Sequence, residues 1–300
     1  MATLIAAGIG AAGAAFLIFG KRFKKDDLKD RSTTSSAGGG AAAYETVKAV
    51  DEYLQFHFGT DQDIMPYSNG PKEALKFPAR CAALCERHCA ALQDITGERG
   101  ETLALDIGCA VGGATFELAR SFSNVLGIDY SQSFVDAAQE MKEVGSRDYI
   151  AVVEGEITRK YTATVPSDIE RARAKFMQGD ACALPSNLSK FDAILAANLV
   201  CRLPEPMEFF ERLPSLVKPG GVAVIISPHS WLPAWTPKSK WIGGYNKDGK
   251  PVYTASSMTE ILSKDFDLIA REDMPFLIRE HARKFQWGCS NAMVWRRKAD

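Results

Sequence analysis

Short apolar runs that end on an acidic or amide side chain recur through the middle of the chain, each followed by a turn and then by a helical pattern. Residues 103–115 (LALDIGCAVGGAT) are the sharpest case, with an apolar run closed by Asp106 and followed by Gly108 and Gly112. This predicts a strand, a tight turn and a helix start. Glycine removes the Cβ atoms that keep backbone away from a ligand, and a helix start offers unpaired N–H groups to an anion. Residues 125–129 (VLGID) predict a second strand, ending in Asp129 roughly twenty residues farther on, where a carboxylate suits a ribose diol. A third strand over 175–177 leads into Gly179, Asp180 and Ala181, and a fourth over 191–197 (FDAILAA) ends beside Asn198. Residues 218–221 (KPGG) predict a turn before an apolar strand over 222–226. Strands alternating with helices imply an α/β fold with a doubly wound, mostly parallel Rossmann-like sheet, whose ligands bind beyond the carboxyl ends of the strands.

The first 43 residues follow another pattern. Residues 2–20 carry no charge and precede Lys21, Arg22, Lys24 and Lys25. About twenty apolar residues is the minimum for a bilayer span, so residues 1–25 are a candidate N-terminal apolar helix and membrane anchor. An amphipathic or unstructured leader is the plainer alternative. The basic cluster follows the apolar run, which fits a cleaved signal poorly and would keep the catalytic part in the cytosol or an equivalent reducing compartment, mitochondrial sites included. Residues 26–43 read as a flexible linker, and residues 44–300 as one domain.

With 36 basic and 37 acidic residues the net charge is −1, which excludes the basic face of a duplex binder, and no nucleic-acid partner is expected. Cys81, Cys85 and Cys89 recur every four residues near His88; zinc sites favour paired closer spacing, so a packed apolar stripe is expected and no metal. Cys109, Cys182 and Cys201 fall in apolar elements as core or pocket wall, Cys201 with the cofactor in reach. Residues 145–178 exceed an ordinary connection and predict a hairpin over 149–154 and 159–165 and a short helix over 168–174, either a cap on the pocket or a surface decoration. Residues 228–245, with Trp231, Trp235 and Trp241, read either as an aromatic lid or as edge packing. His57 and His88 sit in helical patterns and read as structural.

The ordered segments LDIGCAVGG, GIDYS, GDACALP, FDAILAANLVCRL and LVKPGGVAVI resemble the class I S-adenosylmethionine (SAM)-dependent methyltransferases. That resemblance implies SAM as cofactor. Asp106, Gly108 and Gly112 would surround its methionine part, Asp129 would hold its ribose, and Asp180 and Ala181 its adenine; Tyr130, Asn198 and Arg80 are further candidate cofactor contacts. Ala110 stands where the commoner motif has its middle glycine, so the turn must tolerate one Cβ.

A narrower resemblance lies in YETVKAVDEYLQFHFG, FPARCAALC, ANLVCRLPEP, SPHSWL and PFLIREHARKFQWG, which look like the methyltransferase domain of ovothiol biosynthesis, the 4-mercaptohistidine N1-methyltransferase family. It implies methyl transfer to an imidazole nitrogen of 5-thiohistidine. That family commonly fuses this domain to an iron-dependent sulfoxide synthase, absent from this chain, so a separate thiohistidine-producing enzyme is expected, or another acceptor. An imidazole lone pair attacks without prior deprotonation, which leaves the protein to align the ring and to hold a carboxylate. The candidates to orient the ring are Asn198, His229, His281 and Tyr67, with Trp231 as a wall. The candidates for a bidentate carboxylate clamp are Arg279, Arg283 and Arg80, and the polar run REHARKF between apolar flanks reads as pocket lining. Two alternatives stand: methylation of a protein histidine or a membrane-associated small molecule, and a non-catalytic SAM-binding scaffold.

Overall fold

The computed structural model describes residues 44–93 and 100–299. The expected anchor and linker lie outside the described residues, and no described helix is long and apolar enough to cross a membrane. The helices are α1 (Val47–Phe58), α2 (Asp61–Ile64), α3 (Phe77–His88), α4 (Ala90–Gln93), α5 (Gly113–Leu118), α6 (Gln132–Val144), α7 (Pro206–Leu216) and α8 (Thr254–Leu262). The strands are β1 (Leu103–Ile107), β2 (Asn124–Asp129), β3 (Ser146–Glu154), β4 (Ile157–Thr164), β5 (Ala174–Gln178), β6 (Phe191–Ala197), β7 (Val217–Ser227), β8 (Tyr245–Lys247), β9 (Lys250–Val252), β10 (Phe266–His281) and β11 (Lys284–Arg297).

Seven strands form one sheet in the order β10-β11-β7-β6-β1-β2-β5. The five from β5 to β7 run parallel, and β11 and β10 add antiparallel at one edge. Both faces of the central strands are covered, so their sequences read as unbroken apolar runs rather than as alternation. Along β7, Val222, Val224 and Ile226 join the core under α1, α3 and α6, while Ala223 and Ile225 join the core under α7 and α8. The strand order reverses between β1 and β6, which opens a crevice at their carboxyl ends.

Residues 218–221 are an irregularity inside β7 rather than a turn before it: the pairing slips from Phe191–Val217 to Ala193–Val222, with Gly220 at φ 77°. The carboxylate of Asp192, buried at that slip, accepts from the Leu103 N–H and from Lys218, both at 2.8 Å, and so ties β1, β6 and β7 together. The insertion forms the expected hairpin, β3 with β4. Its short helix reduces to a single 3-10 turn, Arg171–Arg173.

Candidate cofactor and acceptor site

A cavity of about 320 Å³ lies at the carboxyl ends of β1, β2, β5 and β6. Its floor is backbone held by buried carboxylates. The N–H of Gly108 donates to Ile128 O at 2.8 Å, so the chain turns as it leaves β1, with Gly108 at φ 76°. Asp129 braces the turn from the neighbouring strand, Oδ2 accepting from the Ala110 N–H at 2.8 Å and Oδ1 from the Ser131 N–H at 2.9 Å. Asp106 accepts from the Thr115 hydroxyl at 2.7 Å, which joins the end of β1 to α5. Burial raises the Asp106 carboxyl to about 7 against the lowering effect of Thr115. Burial likewise raises Asp129 to about 6 against its main-chain donors. Asp180 and Ala181 complete the floor after β5.

Backbone strain gathers here. Ala110 (φ 47°), Asn198 (φ 55°) and His229 (φ 53°) are non-glycine residues in the left-handed region, placed just beyond the ends of β1, β6 and β7. Such conformations cost about 1–2 kcal/mol per residue, and they concentrate where a site needs a particular backbone path.

The roof consists of side chains. Tyr44 packs 5.0 Å from Trp235 and edge-on at 5.8 Å to Tyr53 of α1, whose ring lies 4.7 Å from Phe134 of α6. One turn along α1 from Tyr53, His57 accepts the Gly113 N–H on Nδ1 at 3.0 Å. Burial lowers the His57 pKa to about 3. The ring is therefore neutral, and its remaining proton sits on Nε2. Asn198 closes one side. The Ser290 hydroxyl donates to its Oδ1 at 2.6 Å, which leaves the amide NH2 as the group available to the cavity. Arg202 lines the same cavity, its guanidinium carbon 5.6 Å from the Trp235 ring centre.

Residues 105–225 match the family described as a methyltransferase domain. They form a class I SAM-dependent methyltransferase domain, and its cofactor is S-adenosylmethionine. Among curated proteins the chain is similar to cycloartenol-C-24-methyltransferase 1 of Oryza sativa subsp. japonica, 24% identical over 62% of this chain and 55% of that protein. It is also 30% identical to 2-methyl-6-phytyl-1,4-hydroquinone methyltransferase of Synechocystis, over 41% of this chain and 31% of that protein. The chain thus spans about half or less of these relatives' length. Among solved structures, magnesium protoporphyrin IX methyltransferase from Synechocystis, with bound S-adenosylhomocysteine (SAH), aligns with a TM-score of 0.50 at 16% identity, covering 85% of this chain and 97% of that one. The [4+2]-cyclase SpnF aligns with 0.52 at 16% identity, over 86% and 96%. A fold shared by a methyltransferase and a cyclase leaves the reaction to be argued from the site.

The methyltransferase domain's floor fits its cofactor. A Cβ on Gly108 would meet Leu199 at 3.0 Å and one on Gly179 would meet Ile128 at 2.8 Å, so both positions require bare backbone. Gly112 acts beneath the cavity rather than in it: it caps the start of α5 at φ 87°, where a Cβ would meet the Phe176 ring at 2.8 Å. The carboxylates of Asp106, Asp129 and Asp180 suit a cationic ligand with a ribose diol. Tyr130 stands at the mouth, largely exposed.

Several residues singled out in the sequence lie elsewhere. Arg80 donates Nε to Leu75 O at 2.9 Å and Nη2 to Pro275 O, fastening α3 to β10. Arg279 is buried against Asp63 O and over the Tyr161 ring, on the side of β10 facing the insertion. His281 and Arg283 form the β10–β11 turn, where the Arg283 N–H donates to His281 Nδ1 at 3.2 Å, and Tyr67 donates to Ala282 O at 3.0 Å. REHARKF is therefore a hairpin tip outside the cavity lining. Trp231 is buried, donating to Thr254 at 2.8 Å and stacking on Trp241; only Trp235 of the three reaches the cavity. His229 also lies outside the lining, its buried Nε2 without a partner among the described residues. Cys201 faces the core under α7 rather than the cofactor. Cys81, Cys85 and Cys89 pack in the opposite core, and no metal-holding cluster occurs among the described residues. The insertion does not line the cavity; it backs α1 and β10.

Sequence reasoning missed Tyr44, Tyr53 and Arg202 as site residues and read His57 as structural alone, while Trp235 belonged to the segment read either as an aromatic lid or as edge packing. The available signal was the Tyr53–His57 spacing of four, which puts both on one face of α1.

Proposed function

We propose that this chain is a SAM-dependent N-methyltransferase acting on an imidazole nitrogen of 5-thiohistidine or a related histidine derivative. The supporting observation is that one cavity is lined both by the carboxylates of Asp106, Asp129 and Asp180 and by the rings of Tyr44, Tyr53 and Trp235, with Asn198 among them. Flat rings suit a flat aromatic acceptor, and the motifs shared with the 4-mercaptohistidine family run through the same walls.

SAM, when bound, supplies an electrophilic methyl group. The protein's part is positional. Asp129 and the Gly108 turn fix the ribose and methionine ends, the aromatic roof aligns the ring, and the Asn198 NH2 donates to an anionic substituent of the acceptor, because a neutral imidazole has no ring lone pair besides the attacking one; the methylated ring then loses its N–H proton to solvent. No wall residue must act as a base before transfer, because a neutral imidazole already presents a lone pair. His57, neutral and engaged with Gly113, holds the loop rather than moving a proton.

A second reading has its own support. The relatives named above act, by their names, on a sterol precursor and a hydroquinone, and the aromatic lining would also receive an apolar ring. In this proposal the catalytic domain is tethered to a membrane through residues 2–20 and receives its substrate from a separate enzyme. The test is incubation of the full chain with SAM and 5-thiohistidine, histidine, a histidine-containing peptide or a hydroquinone, read by mass spectrometry. One methyl on thiohistidine alone supports the first reading, one on the hydroquinone the second. Cofactor binding with no methylated product returns the chain to a scaffold.

A further inference from the structure

Among the described residues, Arg202 is the one lining side chain of this cavity that carries a fixed positive charge. It is only partly exposed, and it forms no ion pair with any carboxylate among the described residues. With no carboxylate beside it, this half-buried guanidinium leaves its charge available to an anion from outside the protein. Its Nη1 is held by the carbonyls of Ser230 (2.7 Å) and Cys201 (3.2 Å), and its face rests on Trp235. Fixed this way, the planar fork is pre-oriented, and two parallel N–H donors match a carboxylate. Beside it stands a pair of phenols. The Tyr44 phenol is in contact with both the guanidinium and the Tyr53 phenol. Burial pushes both phenols upward, which keeps them protonated, and because one phenol donates to the other, one O–H of the pair is left for an anion.

Asp106, Asp129 and Asp180, beyond the ends of β1, β2 and β5, give that part of the described lining the opposite charge. We propose that Arg202, with the phenols of Tyr44 and Tyr53, is the anion-binding end of the acceptor subsite, so that the acceptor is an aromatic ring bearing a carboxylate or an equivalent anionic group. This rests on the methyltransferase reading of the cavity but not on the ring being an imidazole. It replaces Arg80 and Arg279, whose guanidinium groups are engaged elsewhere, and Arg283, at the exposed β10–β11 tip, as the residue that selects the substrate.

The test uses the full-length protein saturated with SAH and two matched pairs of probes: imidazolepropionate with its carboxamide, and 4-hydroxyphenylpropionate with its carboxamide. Affinities are read by calorimetry for wild type, Arg202→Gln and Arg202→Lys. Wild type is expected to favour the carboxylate of the better-fitting ring at least tenfold. Arg202→Gln should lose that preference to within threefold, Arg202→Lys should keep part of it, and the SAH affinity of both variants should stay within threefold of wild type. Equal binding of carboxylate and carboxamide by wild type would overturn the proposal. So would a tenfold loss of SAH affinity in Arg202→Gln with the preference intact, since the cofactor's own carboxylate would then be the anion. Preference for the phenol ring over the imidazole ring would remove the thiohistidine reading while leaving the role of Arg202 standing.

Discussion

The floor and the roof of the cavity are built from different materials. The floor is main chain, bent through Gly108 and Ala110, supported from beneath by Gly112 and pinned by Asp129, and its polar partners come from strands adjacent in one sheet. The roof is a set of side chains from α1, α6, the turn after β6 and the segment after β7, brought together only by tertiary packing. A backbone floor recognises what a class of enzymes shares, while a side-chain roof can change its acceptor without disturbing the sheet. Mutations should therefore divide cleanly between cofactor affinity and acceptor use.

The largest effect is expected from Gly112→Ala. A Cβ at φ 87° would press on the Phe176 ring at 2.8 Å, and strain of about 1–2 kcal/mol adds to that contact. The thermal midpoint should fall by several degrees and SAH affinity with it; an unchanged melting curve would break the claim that the floor tolerates no side chain there. On the roof, Trp235→Ala should lower acceptor kcat/KM roughly tenfold, the scale of a lost aromatic contact, with SAH affinity unchanged within twofold. Equal losses in both would merge floor and roof into one unit.

The buried carboxylates give the floor a pH signature. Asp106 and Asp129 sit at about 7 and about 6 before the cofactor arrives, and a cationic ligand favours their ionised forms. Binding then releases protons, so SAM affinity should rise from pH 5 to pH 7, by up to about tenfold per unit for each proton released, and level off above. For the protein alone the sign is reversed. Folded pKa values raised above the unfolded one of 3.8 mean that the contribution of these groups to stability falls as pH rises from about 4 to 7. A flat calorimetric profile across that range would contradict the assignment. The smallest effect belongs to Arg283→Ala at the β10–β11 tip, where stability should move by less than about 0.5 kcal/mol and neither cofactor nor acceptor binding should change.

The same division explains what the sequence revealed. Each strand-to-turn signal, such as the run into Asp106 or Asp129, is local and marks its position in the sheet before any packing is known. Asn198 was legible for the same reason. The roof was not, because the direction of Arg202 in its 3-10 turn and the meeting of Tyr44 with Trp235, nearly two hundred residues apart, depend on the whole fold. REHARKF misled because a polar run between two apolar strands is equally the pattern of a pocket wall and of a hairpin tip. Pairing of Arg279 with Phe285 across β10 and β11 makes it the latter.

The most direct measurement is calorimetric titration of SAH into the full chain, wild type against Asp129→Ala. We expect one-to-one binding by wild type and at least a thirtyfold loss in the variant, about 2 kcal/mol and in the range for removing a charged hydrogen-bonding partner from a buried site. No binding by wild type, or equal binding by both, would contradict the placement of the cofactor on this floor.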